Sequence, residues 1–446
     1  MMAYEALAGG LLKKALSKGA TAGDVLIVEG DSFDVQVRLK SVDKLSNAHE
    51  KRLGLRLFYG NRSAVCSTSD FSTESLDRLV DDACYLARST AEDPHAGLPE
   101  PAALALPNLD LYDETLHEWK MEDKIDLAVQ AESAALGYDA RITNSEGAGL
   151  SHVGRHVVYA NTHDVVGSYP VSYVSFSVSP VASSDGSMQR DYWYSAKRKI
   201  KELASPESVG RTAARRALRR LGARKIATGE VPVIFDPEAA AELIGSLSAC
   251  VSGYAVYKGA SFLAGKLGQP VAASSVTVLD NGLIPSALGS RPFDGEGLPT
   301  RRTTVIKKGV LETYLLDSYS ARKLGLQSTG NAARSVGDVP SVSHTNFYLV
   351  PGTHSPEEII RSVKRGLYVV EMIGFGVNHV TGDYSRGAVG LWIENGELTY
   401  PVEEITIAGN LKDILMDIEM IGDDLEFRGT IAAPTIKISK MTVAGQ

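Results

Sequence analysis

Two His-Glu dipeptides, His49-Glu50 and His117-Glu118, are the first places to look for metal chemistry, because zinc peptidases set two histidines and a glutamate on one turn of helix. Neither completes such a set: Leu53 and Gly54 follow the first, and Met121 and Glu122 the second, where another histidine would have to fall. His152 and His156 are four residues apart, but their surroundings alternate as in a strand. Four residues of strand span roughly 13 Å, too far for one ion. Nucleophiles are equally hard to find. There is no G-x-S-x-G elbow. Cys250 sits in the small, apolar run SLSACVSG and Cys84 on the apolar stripe of a helix, which are packing positions. The glycines of GFGVNHVTGDYSRGAVG (374–390) have neither a G-K-[ST] ending nor G-x-G-x-x-G spacing, which argues against a nucleotide phosphate site.

Two stretches remain as binding candidates. RTAARRALRRLGARK (211–225) gathers Arg211, Arg215, Arg216, Arg219, Arg220, Arg224 and Lys225 around Ala214, Leu218 and Leu221. It reads as a solvated helix face, or as a surface for nucleic acid or for an acidic partner such as a carboxylate-rich peptide. In HVTGDYSRGAVGLWIENGELTYPVEEITIAGN (379–410), Asp383 and Arg386 are close enough in sequence to bridge across a turn, and Tyr384 offers a hydroxyl. These residues either brace a turn between strands or line a peptide cleft.

The elements that must position such residues follow from patterning. Phe33, Val35, Val37 and Leu39 alternate with polar residues, as in a strand with one wet face. Residues 52–67 form a hairpin turned at Gly60-Asn61, and Leu76, Leu79, Val80, Ala83, Cys84 and Ala87 make one stripe of a helix. A proline-bearing stretch at 91–113 reads as a connection, followed by a helix at about 120–136, the strand formers VSYVSFSVS and a helix at about 206–222. VPVIFDPEAAAEL runs from a strand into a helix capped by Asp236 with Pro237 in its first turn. Hairpins turn at Lys308-Gly309 and Asn395-Gly396, and Ser355 with Glu358 forms a capping box. Strands and helices cluster instead of alternating, which predicts an α+β fold. The domains are expected at 1–95 (α+β), 96–225 (β-rich with flanking helices) and 226–446. We expect sandwich-like α/β segments in the N-terminal part, and a β-rich C-terminal domain of mixed-sheet or barrel-like form around a central helix.

Composition narrows the function classes. A net charge of -8 over 446 residues argues against a general affinity for nucleic acid. Three cysteines without C-x-x-C spacing suit a reducing cytoplasm. The first residues, MMAYEALAGGLLKKALSKGA, place their lysines after the apolar stretch, and no apolar run of 18 residues occurs, so neither secretion nor membrane insertion is expected.

Two long strings carry a family likeness. RPFDGEGLPTRRTTVIKKGVLETYLLDSYSARKLGLQSTGNA and VTGDYSRGAVGLWIENGELTYPVEEITIAGNLKDI resemble the PmbA/TldE branch of the TldD/PmbA family, also labelled modulators of DNA gyrase. The resemblance spans nearly the whole chain. It implies a cytoplasmic heterodimer that cuts peptides and unfolded segments, takes part in maturing a peptide antibiotic, and encloses substrate between a TldD and a TldE subunit. In that pair TldD carries zinc on an H-E-x-x-x-H helix, with a later cysteine as a further ligand. Matched to that helix, AAELIGSLSACVSGYAVYKG (240–259) places Ile244 and Gly245 at the first histidine and the glutamate, and Ala249 at the second histidine. EFRGTIAAPTIKI, around Thr430, stands where the cysteine would be. All ligands and the general base are thus replaced together, so no catalytic residue and no metal are expected in this chain, and zinc is expected in a TldD-like partner. Asp294, Glu296, Arg301, Asp383, Tyr384 and Arg386 are expected at a peptide cleft or a dimer seam. The rival readings are a homodimeric peptidase with an unrecognised site and a regulatory protein acting on a partner such as gyrase.

Overall fold

The computed structural model describes residues 2–104 and 106–445. Met1 and Gln446, the outer ends of the expected domains, lie outside the described residues.

Alternating apolar positions build one long antiparallel sheet in the first half of the chain. Its order is Arg62–Thr68, Ser41–Tyr59, Ala22–Arg38, Ile142–Asn161, Val166–Ser184 and Ser187–Arg190, with Trp193–Lys197 also paired to Val166–Ser184. Among its described residues the connection at 91–113 has no strand or helix of its own. The strands on either side of it nevertheless share this sheet, because Ala22–Arg38 takes one neighbour from each side. The described strands on the two sides of the connection are therefore parts of one sheet.

One face of the sheet is covered by helices α1 (Met2–Ser17), α2 (Thr73–Ser89), α3 (Met121–Leu136) and α4 (Pro206–Leu218). The first two pack on Val25, Ile27, Leu53, Leu55 and Leu57, and the last two on Phe33, Val35, Val37, Leu150 and Phe176. Leu39 does not continue the alternation. It is exposed in a two-residue turn with Lys40, both at left-handed φ (50° and 65°). That conformation is unfavourable for side-chain-bearing residues. It is held by the fully buried Glu132 of α3, whose carboxylate accepts from the amides of Leu39 (2.9 Å) and Lys40 (2.7 Å).

The second half of the chain docks on the opposite face. Glu397–Asn410, Asp383–Glu394, Arg365–Ile373, Gly229–Phe235 and Ile436–Ala444 pair in that order, and the first also pairs with the last, closing a five-stranded barrel among the described residues. An open sheet of Val310–Leu311, Arg302–Lys307, Val278–Asn281, Phe347–Leu349 and Ile431–Ala432 stands beside it. Helix α5 (Pro237–Cys250) lies between barrel and open sheet, followed by α6 (Gly253–Tyr257) and α7 (Ser318–Leu324). The α+β class and the barrel-like C-terminal domain with its central helix match the expectation, as do the hairpins at Gly60-Asn61, Lys308-Gly309 and Asn395-Gly396 and the Ser355–Glu358 capping box.

The joint between the halves is polar at its centre. Asp24, in register with Arg56, accepts from Arg56 Nε (2.9 Å) and Nη2 (2.5 Å) and from Arg334 Nη1 (2.7 Å). Burial by itself would raise the Asp24 carboxyl, but Arg334 and Arg56 outweigh it and hold it below the ordinary range. Beside this joint Gly297 (φ 77°) runs so close to Tyr159 that a Cβ would sit 2.2 Å from the ring.

Asp24→Asn would leave two buried guanidiniums without their shared carboxylate, and should cost about 3–5 kcal/mol in urea unfolding. A second expectation concerns acid. His152 stacks on Phe33 at 5.5 Å between centroids, and its ring nitrogens have no hydrogen-bond partner. Burial, then the charge of Lys124, lower its pKa to about 4. The unfolded chain therefore takes up this proton first. The contribution is whole above about pH 6.5 and is lost as pH falls towards 4, by at most about 3 kcal/mol. His152→Phe should flatten that part of the stability profile measured between pH 7 and 4.

Candidate functional site: a groove along the central helix

Helix α5 begins where the sequence says it should. The Asp236 side chain accepts from Ala239 N at 2.9 Å, and Pro237 occupies the first turn. Burial pushes the Asp236 carboxyl up to about 6 in spite of that bond. Ala239, Ala240, Leu243, Ile244, Leu247 and Cys250 face the core. Helical spacing turns Glu238, Ala241, Glu242, Gly245, Ser248 and Ala249 the other way, onto a line of adjoining depressions.

Three depressions follow the helix, of about 370, 360 and 440 Å³, and a fourth of about 400 Å³ continues from them beside α6. Neighbours share lining residues: Glu242 and Gly245 join the first two, Ala249 and His379 the next two, and Tyr254 and Val342 the last two. Together they form a groove that passes the edge strand Ile431–Ala432 and ends at Arg56 and Glu296. Ion pairs stiffen its rim: Arg386–Glu242 at 2.7 Å and Arg428–Glu238 at 2.8 Å. Arg216 lines the first depression, while its guanidinium binds the buried Asp191 at 3.1 Å. Arg220 reaches Glu371 at 2.6 Å. The basic cluster is thus split, with Arg216, Arg219 and Arg220 drawn inward and Arg211 and Arg215 left in solvent.

Cys250 does not line the groove but is buried in the core beside it. Burial pushes the Cys250 thiol up to about 12, which keeps it protonated. Among the described residues no group of three or more His, Cys, Asp and Glu is placed to hold a metal ion. The three positions matched to a zinc helix do not converge either. Ile244 is fully buried in the core, so a histidine there would lie among apolar side chains. Gly245 and Ala249 both face the groove, but at Gly245 a Cβ would come within 3.2 Å of Ile431 Cδ1. These residues do not fit a zinc ion.

The other predicted site residues fall in separate places. Asp294 is buried and accepts from the amides of Glu296 (2.9 Å), Leu298 (3.0 Å) and Ala332 (3.0 Å), which makes it a brace of its loop. Glu296 lines the last depression. Arg301 donates to the Ser328 carbonyl at 2.8 Å, outside the groove. Arg386 faces the groove, but Asp383 does not bridge to it. Residues three apart on the strand Asp383–Glu394 point to opposite faces, and Asp383 instead accepts from Asn410 Nδ2 at 3.1 Å. Tyr384 is buried in the barrel core, so its hydroxyl is not offered to a ligand. Sequence reading missed Asp317, Tyr319, His344 and His379. The spacing of Tyr254 and Tyr257 in GYAVYKG was the visible signal for the aromatic end of the groove.

Family models match almost all of the chain: PmbA/TldA metallopeptidase domain 1 over residues 23–87, the central domain over 114–221 and the C-terminal domain over 228–445. The chain belongs to the PmbA/TldD metallopeptidase family. It is 39% identical to Metalloprotease PmbA of Escherichia coli O157:H7 over 97% of this chain and 94% of that one. Identity to the Metalloprotease PmbA homolog of Haemophilus influenzae is 36%, covering 96% and 93%. A Metalloprotease TldD homolog of the same organism is 26% identical over 89% of this chain and 87% of that one, which sets this PmbA/TldD member on the PmbA side. Among solved structures, a Bacteroides thetaiotaomicron protein named as a modulator of DNA gyrase superposes with a TM-score of 0.92 at 27% identity, covering 99% of both chains. TldE of Thermococcus kodakarensis shares the fold, with a TM-score of 0.90 at 22% identity over 98% of this chain and 99% of that one.

Proposed function

We propose that this chain is the non-catalytic subunit of a cytoplasmic peptide-cleaving pair. It docks on a TldD-like subunit that carries the zinc, and it supplies one wall of the cleft that holds a peptide or unfolded segment. The observation that carries this reading is the outward side of α5. Where a metallopeptidase helix needs imidazoles and a carboxylate, it bears Gly245 and Ala249, with Ile244 turned into the core.

The small residues Ala241, Gly245, Ser248 and Ala249 leave room for an extended backbone along the helix. The strand Ile431–Ala432 is the outermost of its sheet and borders the same groove, so a peptide can be added there as a further strand. Such binding reads backbone amides and carbonyls and tolerates many sequences, which suits degradation of unfolded segments. The family's metalloprotease names supply the reaction class of the pair.

Elemental mass spectrometry of the untagged chain, alone and co-purified with a TldD-like subunit, tests the division of labour. No zinc in the lone chain and about one per pair is the expected result; stoichiometric zinc in the lone chain would overturn it. The groove has its own test. Ala249→Trp should lower turnover of an unfolded peptide by the pair at least tenfold while the pair still co-elutes on size exclusion. Unchanged turnover would remove the peptide from this wall.

A further inference from the structure

The last depression differs from the rest of the groove. Tyr254 and Tyr257 meet edge to face at 5.4 Å, Tyr257 and Tyr319 at 5.9 Å, and Tyr319 and His95 at 6.3 Å, giving the cavity of about 400 Å³ a continuous aromatic wall. Three carboxylates, Asp93, Glu296 and Asp317, share the lining with a single guanidinium, Arg56. Arg56 is already engaged by Asp24.

Two of those carboxylates are more than nine-tenths buried, and each keeps one oxygen that accepts no hydrogen bond from the described residues. Glu296 is 2% exposed; its Oε2 accepts from Ser318 N at 2.8 Å, whereas Oε1 has no hydrogen bond and its nearest cation is Arg56 at 3.8 Å. Asp317 is 4% exposed; its Oδ1 accepts from Ser320 N at 2.7 Å and Ser320 Oγ at 2.5 Å, and Oδ2 accepts from none of the described residues. Burial pushes the Glu296 carboxyl up to about 7, with Arg56 opposing and Asp294 and Asp317 reinforcing the rise. A buried carboxylate short of donors is costly, and a bound cation relieves that cost.

The cation that fits is organic. Calcium takes six to eight oxygens, and magnesium a near-octahedral six. Here the free oxygens are one from each of two carboxylates, and most of the remaining wall is aromatic ring and aliphatic side chain. An ammonium group has three N–H donors, which suits two carboxylate oxygens. We propose that the cavity at Glu296 and Asp317 binds a protonated primary amine, either the α-ammonium of a peptide or the side chain of a lysine. Glu296 Oε1 and Asp317 Oδ2 accept from the ammonium, and Tyr254, Tyr257 and Tyr319 enclose the carbons behind it. The inference rests on the peptide reading of the groove, to which the cavity is joined through Tyr254 and Val342. It adds a preference to a cleft that otherwise reads backbone alone.

Ligand-observed NMR on the intact chain, titrated with small probes, tests it. Glycinamide represents the α-ammonium and n-butylamine the lysine side chain; N-acetylglycinamide and n-butanol are their neutral counterparts. Binding of at least one amine, at least tenfold tighter than its neutral counterpart, is expected, and which amine binds identifies the source. Glu296→Gln should weaken that binding at least tenfold. Val339→Trp should do the same by filling the cavity from its exposed rim, without touching the buried ion pairs. Equal binding of amines and neutral counterparts, no amine binding, or indifference to both variants overturns the proposal. Ala249→Trp should block peptide turnover yet leave amine binding intact. Failed amine binding with turnover still blocked would remove only the cavity proposal, whereas amine binding with turnover unaffected would remove the groove reading.

Discussion

A single buried carboxylate sets the terms on which the two halves of this molecule meet. Asp24 is fully enclosed between Arg56, its cross-strand neighbour, and Arg334, which comes from the other half of the chain. An isolated charge in such a place would be prohibitive; two guanidiniums in hydrogen-bond contact make it tolerable. The geometry is demanding, because every donor must arrive at once. The long sheet and the loop carrying Arg334 meet at these contacts, with Gly297 close against Tyr159 beside them. Arg56 also reaches Glu296, so the same network forms the floor of the cavity at the end of the groove.

The groove follows from a second constraint, the position of α5. A helix wedged between a closed barrel and an open sheet must be apolar on the sides that face them, which accounts for Leu243, Ile244, Leu247 and Cys250. Its remaining side lies at the surface, where a Cβ at Gly245 would stand 3.2 Å from Ile431 Cδ1. The same packing that fixes the helix leaves a shallow channel lined by small residues. In the reading proposed here, this channel holds a peptide backbone and the chemistry comes from the partner subunit.

Much of the architecture was legible because its causes are local. The stripe from Leu76 to Ala87, the Asp236 cap, the glycine-bearing hairpins and the Ser355–Glu358 box depend on residues within a few positions of one another, and each formed as its pattern implied. The turn at Leu39-Lys40 was not legible, because its stabiliser, Glu132, is 93 residues away along the chain. The same holds for Asp383 and Arg386. Their proximity in sequence suggested an ion pair, but the strand's two-residue period separates them, and Glu242 on α5 becomes the partner of Arg386.

By itself the sequence determined the α+β class, the order of elements, the family and the absence of a metal-binding helix motif, since composition, periodicity and residue identity are properties of the chain. Only the tertiary structure decided which of those residues meet. It drew half of an arginine-rich helix inward to Asp191 and Glu371, buried Tyr384, and set Glu296 from one loop and Asp317 from the cap of α7 together in one cavity with Arg56 from the first sheet. Those contacts join positions hundreds of residues apart, where the cost of burying charge, and not any local preference, selects the partner.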